Sequence, residues 1–362
     1  MTDKPWETEN WFTSSWNFED EVTADFKFPD TIKIHDVTLR DGEQQTGIAF
    51  STDDKIRIAE GLAEAGIHRI DAGVKGLIME VPASTHLIEH AYKWPLEKAL
   101  DLSIEATAYA HEKGLEVVFF PIDFSRSDID WVMDLIIKVA DEGHMDALAL
   151  VDTFGVLSPH AMQYFVREVK KRVGVRLETH FHQDFGMGVA NTLMAMAEGC
   201  QVAQTSVTGL GERAGNCAYE ELALAMKTMY DVDMGLKTEK FVETSRLVTG
   251  LADVAVPPNR CIVGEKLYDI ESGIIVSWLK NAGKDFPTEL VPYRAGLVGQ
   301  TEPNPVIGKG SGIDSIAWFL DELNIKATQE EMMALLTDVK EKAFEVGRLL
   351  TLDEFKELAG EK

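Results

Sequence analysis

Residues 177–191 read LETHFHQDFGMGVAN, and at their centre His180 and His182 flank a single phenylalanine. On an extended strand, residues two apart point to the same face, so both imidazoles project together. Neutral imidazole is the commonest side-chain metal ligand, and such a pair joined by a carboxylate could hold a divalent ion. Two histidines at this spacing are also ordinary half-buried strand residues, so the pair alone leaves both readings open. A carboxylate stands far upstream, where the strand-like run IKIHDVTL at 32–39 leads straight into Arg40-Asp41-Gly42-Glu43-Gln44. An Arg–Asp pair after a strand can equally be a surface ion pair of little energetic consequence. A third segment, VTGLGERAGN at 207–216, follows another strand-like run. Its glycines could cradle a phosphate, although a loose glycine pattern says little by itself. Each piece is ambiguous alone, and the conjunction carries the weight.

These segments need a frame to bring them together. Between residues 31 and 235, short β-branched runs alternate with amphipathic stretches, the pattern of βα units on a parallel sheet. Strands are expected at 31–37, 67–71, 76–81, 115–120, 146–151, 176–181 and 201–206. Helices are expected at 52–65, 94–113, 127–142, 158–172, 187–199 and 216–229. The fold class is α/β, a (β/α) barrel followed by a small, mainly helical subdomain. A closed barrel of this type has eight strands, one more than the sequence supplies. The shortfall is local: only three residues separate Asp71-Ala72-Gly73 from Leu77, whereas a crossover between parallel strands needs about a dozen. Gly73–Gly76 therefore marks an interruption. Either a βα unit is lost and the barrel is open there, or the full polypeptide carries a segment that this sequence lacks; the second is the expectation.

Catalytic residues of such barrels sit at the C-terminal ends of the strands. Barrel closure sets the first and last strands side by side, so Asp41, the two histidines and Asn216 would converge. In order, the strand-end RDGEQ, the HxH followed by Asp184, Gly186 and Ala190-Asn191, and the GLGERAGN loop carry a resemblance. The chain resembles the pyruvate-carboxyltransferase-like barrels, which include isopropylmalate, homocitrate and citramalate synthases and HMG-CoA lyase. The likeness runs from about residue 31 to 235, with a weaker echo to about 325. The wording GERAGN is that of the condensing synthases; the lyase carries a reactive cysteine in its glycine loop, and Cys217 does not match that arrangement.

The resemblance implies a divalent ion (magnesium, manganese, iron or zinc) held by Asp41, His180, His182 and Asn216. It implies an open coordination position for a 2-oxo acid, and an acyl-CoA as co-substrate. Arg40, Glu43 and Thr153 are the implied catalytic set. Arg40 would stabilise an oxyanion or enolate, Glu43 would brace the site, and Thr153 would hydrogen-bond the substrate carboxylate. Ser84 and His86 would line the pocket, and Asp184 would orient His182. Blander roles stand beside these: ion pairs for Arg40 and Glu43, a turn-capping hydroxyl for Thr153, and a solvated rim position for His86.

Departures from the family pattern matter as much. Condensing synthases usually carry glutamate where this chain has Ile122, and two subdomain histidines are here Ile270 and Ile275. A further histidine is replaced by glycine within Gly308-Lys309-Gly310-Ser311-Gly312. In relatives those subdomain groups reach the neighbouring subunit's site for proton transfer, which isoleucine cannot perform. The expectation is a metal-dependent acyltransferase condensing an acyl-CoA with a 2-oxo acid to a 2-hydroxy dicarboxylate, distinct from the three named synthases. The alternative is a lyase running a related carbon–carbon cleavage. A catalytically idle regulatory or structural barrel is the third class, and the intact Arg40, Asp41, His180, His182 and Asn216 set argues against it.

Composition sets the outer limits. The 362 residues are 45% hydrophobic, enough for a large core and more than one domain. A formal charge of −26 excludes nucleic acid and anionic membrane surfaces as partners. No window approaches a membrane-spanning apolar run, and the start MTDKPWETEN lacks the pattern of a signal peptide. Cys200, Cys217 and Cys261 are scattered, which suits a reducing compartment, so the cytoplasm is expected. Residues 1–30 are acidic yet hold Trp6, Trp11 and Trp16, and read as an arm packed on the barrel or on a partner subunit. Residues 31–235 read as the catalytic barrel, 236–325 as linker and subdomain, and 326–362 as C-terminal helices opened by Thr328-Gln329-Glu330-Glu331. A homodimer is the minimal assembly expected from the resemblance and the aromatic arm.

Overall fold

The computed structural model describes residues 4–71, 76–282 and 286–360. The chain forms two compact units, Ser15–Ala255 and Met1–Ser14 with Val256–Lys362. The larger unit holds seven strands: β1 (Lys33–Asp36), β2 (Arg69–Ile70), β3 (Gly76–Pro82), β4 (Glu116–Ile122), β5 (Ala147–Asp152), β6 (Arg176–Phe181) and β7 (Val202–Thr205). Each falls on an expected strand. All the pairings are parallel, in the order β2-β1-β7-β6-β5-β4-β3. The first and last strands, β1 and β7, are indeed neighbours. β2 and β3 form the two edges, so the sheet is a barrel-like curl open along one seam. Most of the expected interruption, residues 73–75, lies outside the described residues; Gly76 opens β3.

Sheet and helices form for local reasons. In β4, Val117, Val118, Phe119 and Phe120 are all buried, the continuous apolar run of a strand covered on both faces. The helix Thr52–Glu64 starts at a capping box, in which Ser51 Oγ accepts from Asp54 N while Asp54 accepts from Ser51 N. Ser158 caps Pro159–Lys170, and Asp128 caps Ile129–Glu142, whose Val132, Ile136 and Val139 are buried. Each of those side chains contributes roughly 1.5–3 kcal/mol. On β1, β2, β6 and β7 the interior is polar instead. His35 stands in register with Arg69 on one side and Gln204 on the other, and Gln204 is in register with His180.

In the smaller unit the helices Ile313–Glu322, Gln329–Val346 and Leu352–Gly360 share a core built on Ile316, Phe319, Val339 and Phe355. Thr328 caps the middle one through a capping box with Glu331, as its sequence predicts. Ile270 is buried on the short strand Asp269–Ile270, paired with Asn304–Pro305. The aromatic leader is divided rather than acting as one arm. Asn10, Trp11 and Phe12 pair with residues 292–294 of the smaller unit. Phe26 and Phe28 cluster with Tyr230 of the larger unit at centroid distances of 5.4–5.6 Å. No helix among the described residues is long and apolar enough to cross a membrane.

Candidate metal centre

Three buried side chains meet at the C-terminal ends of β1 and β6, the two strands that flank β7. Asp41 Oδ2 lies 3.0 Å from His180 Nε2 and 3.7 Å from His182 Nε2, and the two Nε2 atoms are 3.2 Å apart. Among the described residues this is the one cluster of acidic, histidine or cysteine groups with such convergence. Asp41 follows β1, His180 ends β6 with Phe181, and His182 lies just past it, bridged to Asn216. Asn216 donates from Nδ2 to Leu210 O at 3.1 Å, while its buried Oδ1 has no hydrogen-bond partner. A Cβ at Gly211 would stand 3.1 Å from both Asn216 Cγ and Asp41 Oδ1, so only glycine leaves room for these two side chains. Gly215 has φ +87°, and a Cβ there would run into Gly209 O. The glycines of the loop thus serve to seat Asn216 beside Asp41.

This donor set fits a divalent ion. Oxygen and imidazole donors without thiolate suit magnesium, manganese, iron or zinc. Burial pushes the Asp41 carboxyl up, but its close contacts with the His180 and His182 rings and the nearby Arg40 guanidinium outweigh it, holding the group well below the ordinary range. Burial, then the neighbouring His180, lowers His182 to about 4, which keeps it in the neutral form that binds metals.

Around this centre the expected residues sort into distinct groups. Arg40 donates from Nε to Asp71 at 3.0 Å and from Nη1 to Glu80 at 2.9 Å, with Nη1 3.6 Å from Asp41. Its guanidinium lies 5.7 Å from the Phe120 ring centre. Arg40 therefore links the end of β2 to β3 across the open seam. Ser84, His86 and Thr153 gather on one residue the sequence reading passed over, the buried Asp123. Ser84 Oγ donates to it at 2.6 Å, His86 Nε2 lies at 3.1 Å, and Arg126 binds it bidentately at 2.7 and 2.9 Å. Thr153 Oγ1 accepts from the Asp123 backbone N–H at 2.8 Å. Glu43 accepts from Phe50 N at 3.0 Å and from Lys55 Nζ at 2.5 Å, which makes it a brace for the following loop.

Asp184 does not hold His182 as expected. It takes a bidentate pair from Arg213 at 2.8 and 3.0 Å, while His182 Nδ1 is buried without a partner. The side chain that contacts the outer nitrogen of a metal donor is Gln204, 3.1 Å from His180 Nδ1. Asp71, Glu80, Asp123 and Gln204 were all missed. Asp123, next to the singled-out Ile122 at a strand end, carried a positional signal; Asp71 and Gln204 meet their partners through strand pairing, and Glu80 meets Arg40 across the open seam.

Comparison with known proteins agrees with this geometry. The HMGL-like family model matches residues 31–80 and 69–248, two stretches that meet at the β2–β3 seam. A homocitrate synthase of Methanothermobacter thermautotrophicus is 32% identical over 372 aligned positions, covering 91% of this chain and 93% of that one. That alignment is longer than the 362-residue chain itself, so it includes positions for which this chain has no residue. A 2-isopropylmalate synthase of Methanocaldococcus jannaschii is 31% identical, covering 86% of this chain and 67% of that one. Among solved structures, hydroxymethylglutaryl-CoA lyase from Pseudomonas aeruginosa shares the fold at TM-score 0.57 and 20% identity, covering 63% of this chain and 95% of that one. With the family model spanning the strands that carry the donors, and relatives above 30% identity along most of its length, the chain belongs to the HMGL-like family.

Proposed function

We propose that this protein is a divalent-metal-dependent acyltransferase that joins an acyl-CoA to a 2-oxo acid, giving a 2-hydroxy dicarboxylate. One observation carries the reading: Asp41, His180 and His182 aim their donor atoms at a single buried point, with Asn216 Oδ1 left unpaired nearby. Two lone pairs and a carboxylate so close together call for a cation. Asp41, His180, His182 and Asn216 would hold it. A bound ion supplies Lewis acidity, polarising the ketone and offsetting alkoxide charge. Arg40 keeps one buried nitrogen, Nη2, without a hydrogen-bond partner, a donor available to an enolate or oxyanion. Thr153 accepts from Asp123 N, which leaves its hydroxyl proton free to be donated to the substrate carboxylate. Ser84, His86 and Arg126 fix Asp123 and so the rim on which Thr153 sits.

The names of the relatives, homocitrate and 2-isopropylmalate synthases, support the condensing direction. Isoleucine at 122, 270 and 275 supports a second reading, a carbon–carbon lyase on a related hydroxy acid or its CoA thioester, because the usual proton-transfer groups are gone. In the same proposal residues 31–235 are the catalytic barrel, and the enzyme works as a cytoplasmic homodimer. Release of free thiol from acetyl-CoA, assayed across a panel of 2-oxo acids with added magnesium, manganese or zinc, tests the reading. His180→Ala or His182→Ala should abolish turnover and ion retention while leaving the fold. Tight ion binding by the double variant would overturn the metal centre, and formation of acetyl-CoA and an oxo acid from a supplied 3-hydroxyacyl-CoA thioester, with no thiol release from acetyl-CoA, would favour the lyase.

A further inference from the structure

Beneath the metal centre the barrel interior is crossed by a hydrogen-bonded chain. His180 Nδ1 lies 3.1 Å from Gln204 Oε1, and Gln204 Nε2 donates to Glu178 Oε2 at 3.2 Å. Glu178 is fully buried, and arginines grip both its oxygens: Arg69 on Oε2, and Arg176 on Oε1 at 3.1 Å. Arg69 also donates to His35 Nδ1 at 2.6 Å. Four strands, β1, β2, β6 and β7, are tied together in this way.

The direction of every bond follows from the last link. A carboxylate between two guanidinium groups is an acceptor only. Gln204 must therefore offer its amide NH₂ to Glu178, since the flipped amide would set oxygen against oxygen. That leaves its carbonyl oxygen facing His180 Nδ1, which must carry the proton. The lone pair of His180 then sits on Nε2, the atom that faces Asp41 and His182. We propose that Gln204, oriented by Glu178, is a positioning residue that fixes His180 in the Nδ1–H tautomer and so prepares Nε2 as a metal donor. The idea rests on the metal centre proposed above and extends it to residues that touch neither ion nor substrate. A donor's outer hydrogen bond fixes both tautomer and ring orientation, and its loss typically costs 10–100-fold in affinity.

The test is titration of Mn²⁺ into the parent chain and into Gln204→Leu, Gln204→Asn and Gln204→Glu, with ¹⁵N spectra of histidine-labelled protein. Gln204→Leu removes the acceptor at similar volume, and Gln204→Asn withdraws it by one methylene while staying polar, so at least one folded variant is at hand. Both should bind Mn²⁺ about 10–100-fold more weakly and lose the Nδ1–H signature of His180. Gln204→Glu keeps an acceptor facing Nδ1 and, with one proton taken up between its other oxygen and Glu178 Oε2, should retain that signature. If a folded Leu or Asn variant binds within about threefold of the parent and keeps the signature, the positioning role is refuted. A parent chain that binds no Mn²⁺ would refute the metal centre instead, so the two failures are distinguishable.

Discussion

Gly211→Ala should cost the protein its ion without costing it its fold. The added methyl would lie 3.1 Å from Asn216 Cγ and 3.1 Å from Asp41 Oδ1, and closer still to Asn216 Nδ2. Comfortable carbon contacts begin near 3.5–4.0 Å, so one or both side chains must retreat by about 0.5–1 Å. Metal–ligand distances tolerate only about ±0.2 Å, and a misplacement of about 1 Å can cost 10²-fold in rate. Retreat is resisted on both sides, because Asn216 is tied to Leu210 O and Asp41 is packed against His180 and Arg40. The expectation is a 10–100-fold loss of Mn²⁺ affinity by calorimetry, a comparable fall in thiol release, and a melting temperature lowered by only a few degrees. Affinity within twofold of the parent in a folded variant would refute the claim that Asp41 and Asn216 share one ion beside this glycine.

Arg40→Ala should separate catalysis from ion binding. Thiol release should fall by about 10²–10³-fold, while Mn²⁺ affinity holds or rises because a positive charge 3.6 Å from Asp41 is gone; parallel loss of both would count against its role toward substrate. Asp36 gives a pH signature: burial raises its carboxyl to about 7, so the folded chain keeps a proton that the unfolded chain releases near the usual carboxylate value. Stability should therefore be fully present below pH ~4 and fall as pH rises towards ~7, by up to about 4 kcal/mol. Asp36→Asn, which preserves the acceptor for Thr38 N, should flatten the denaturant-unfolding profile across that window, and an unchanged slope would remove Asp36 as its cause. Replacing Phe26 and Phe28 together by alanine should cost about 2–3 kcal/mol, and a loss under about 0.5 kcal/mol would show that their packing on Tyr230 is incidental.

Much of the barrel was legible because apolar runs such as residues 117–120 mark strands and several helices open on a side-chain cap, as at Ser51, Asp128 and Ser158. The convergence of Asp41, His180 and His182 was legible for a different reason: their residue types fall at strand ends, where a barrel of this class gathers its chemistry. Side-chain partnerships were not. Nothing near Arg40 in sequence announces Glu80, which meets it 40 residues away across the seam. Asp184 was read as a brace for His182 from proximity in sequence. The turn at Arg213, with φ +55°, carries a guanidinium to that carboxylate and takes up both its oxygens. Residues 1–30 show the same limit. Composition marks their tryptophans and phenylalanines as packed, but which unit receives which ring depends on surfaces hundreds of residues downstream.

The strand order explains how a sheet with one open seam can keep Asp41, His180 and His182 together. The donors come from β1, β6 and the loop after β7, and β1, β7 and β6 are consecutive in the middle of the sheet. The Gln204–Glu178 chain that supports them runs through the same strands. The seam lies at the edges, between β2 and β3, and Arg40, through its bonds to Asp71 and Glu80, bridges it beside Asp41. An edge strand normally exposes unpaired backbone groups that invite other strands; here a single guanidinium stitches the two edges at the mouth. The seam thus borders Asp71, Glu80 and Arg40, whereas His180 and His182 belong to β6 and its end, with three strands on either side. The motifs that carry the family resemblance, around Asp41, His180 and Asn216, follow these central strands, whereas the departures from its pattern at Ile122, Ile270 and Ile275 lie elsewhere.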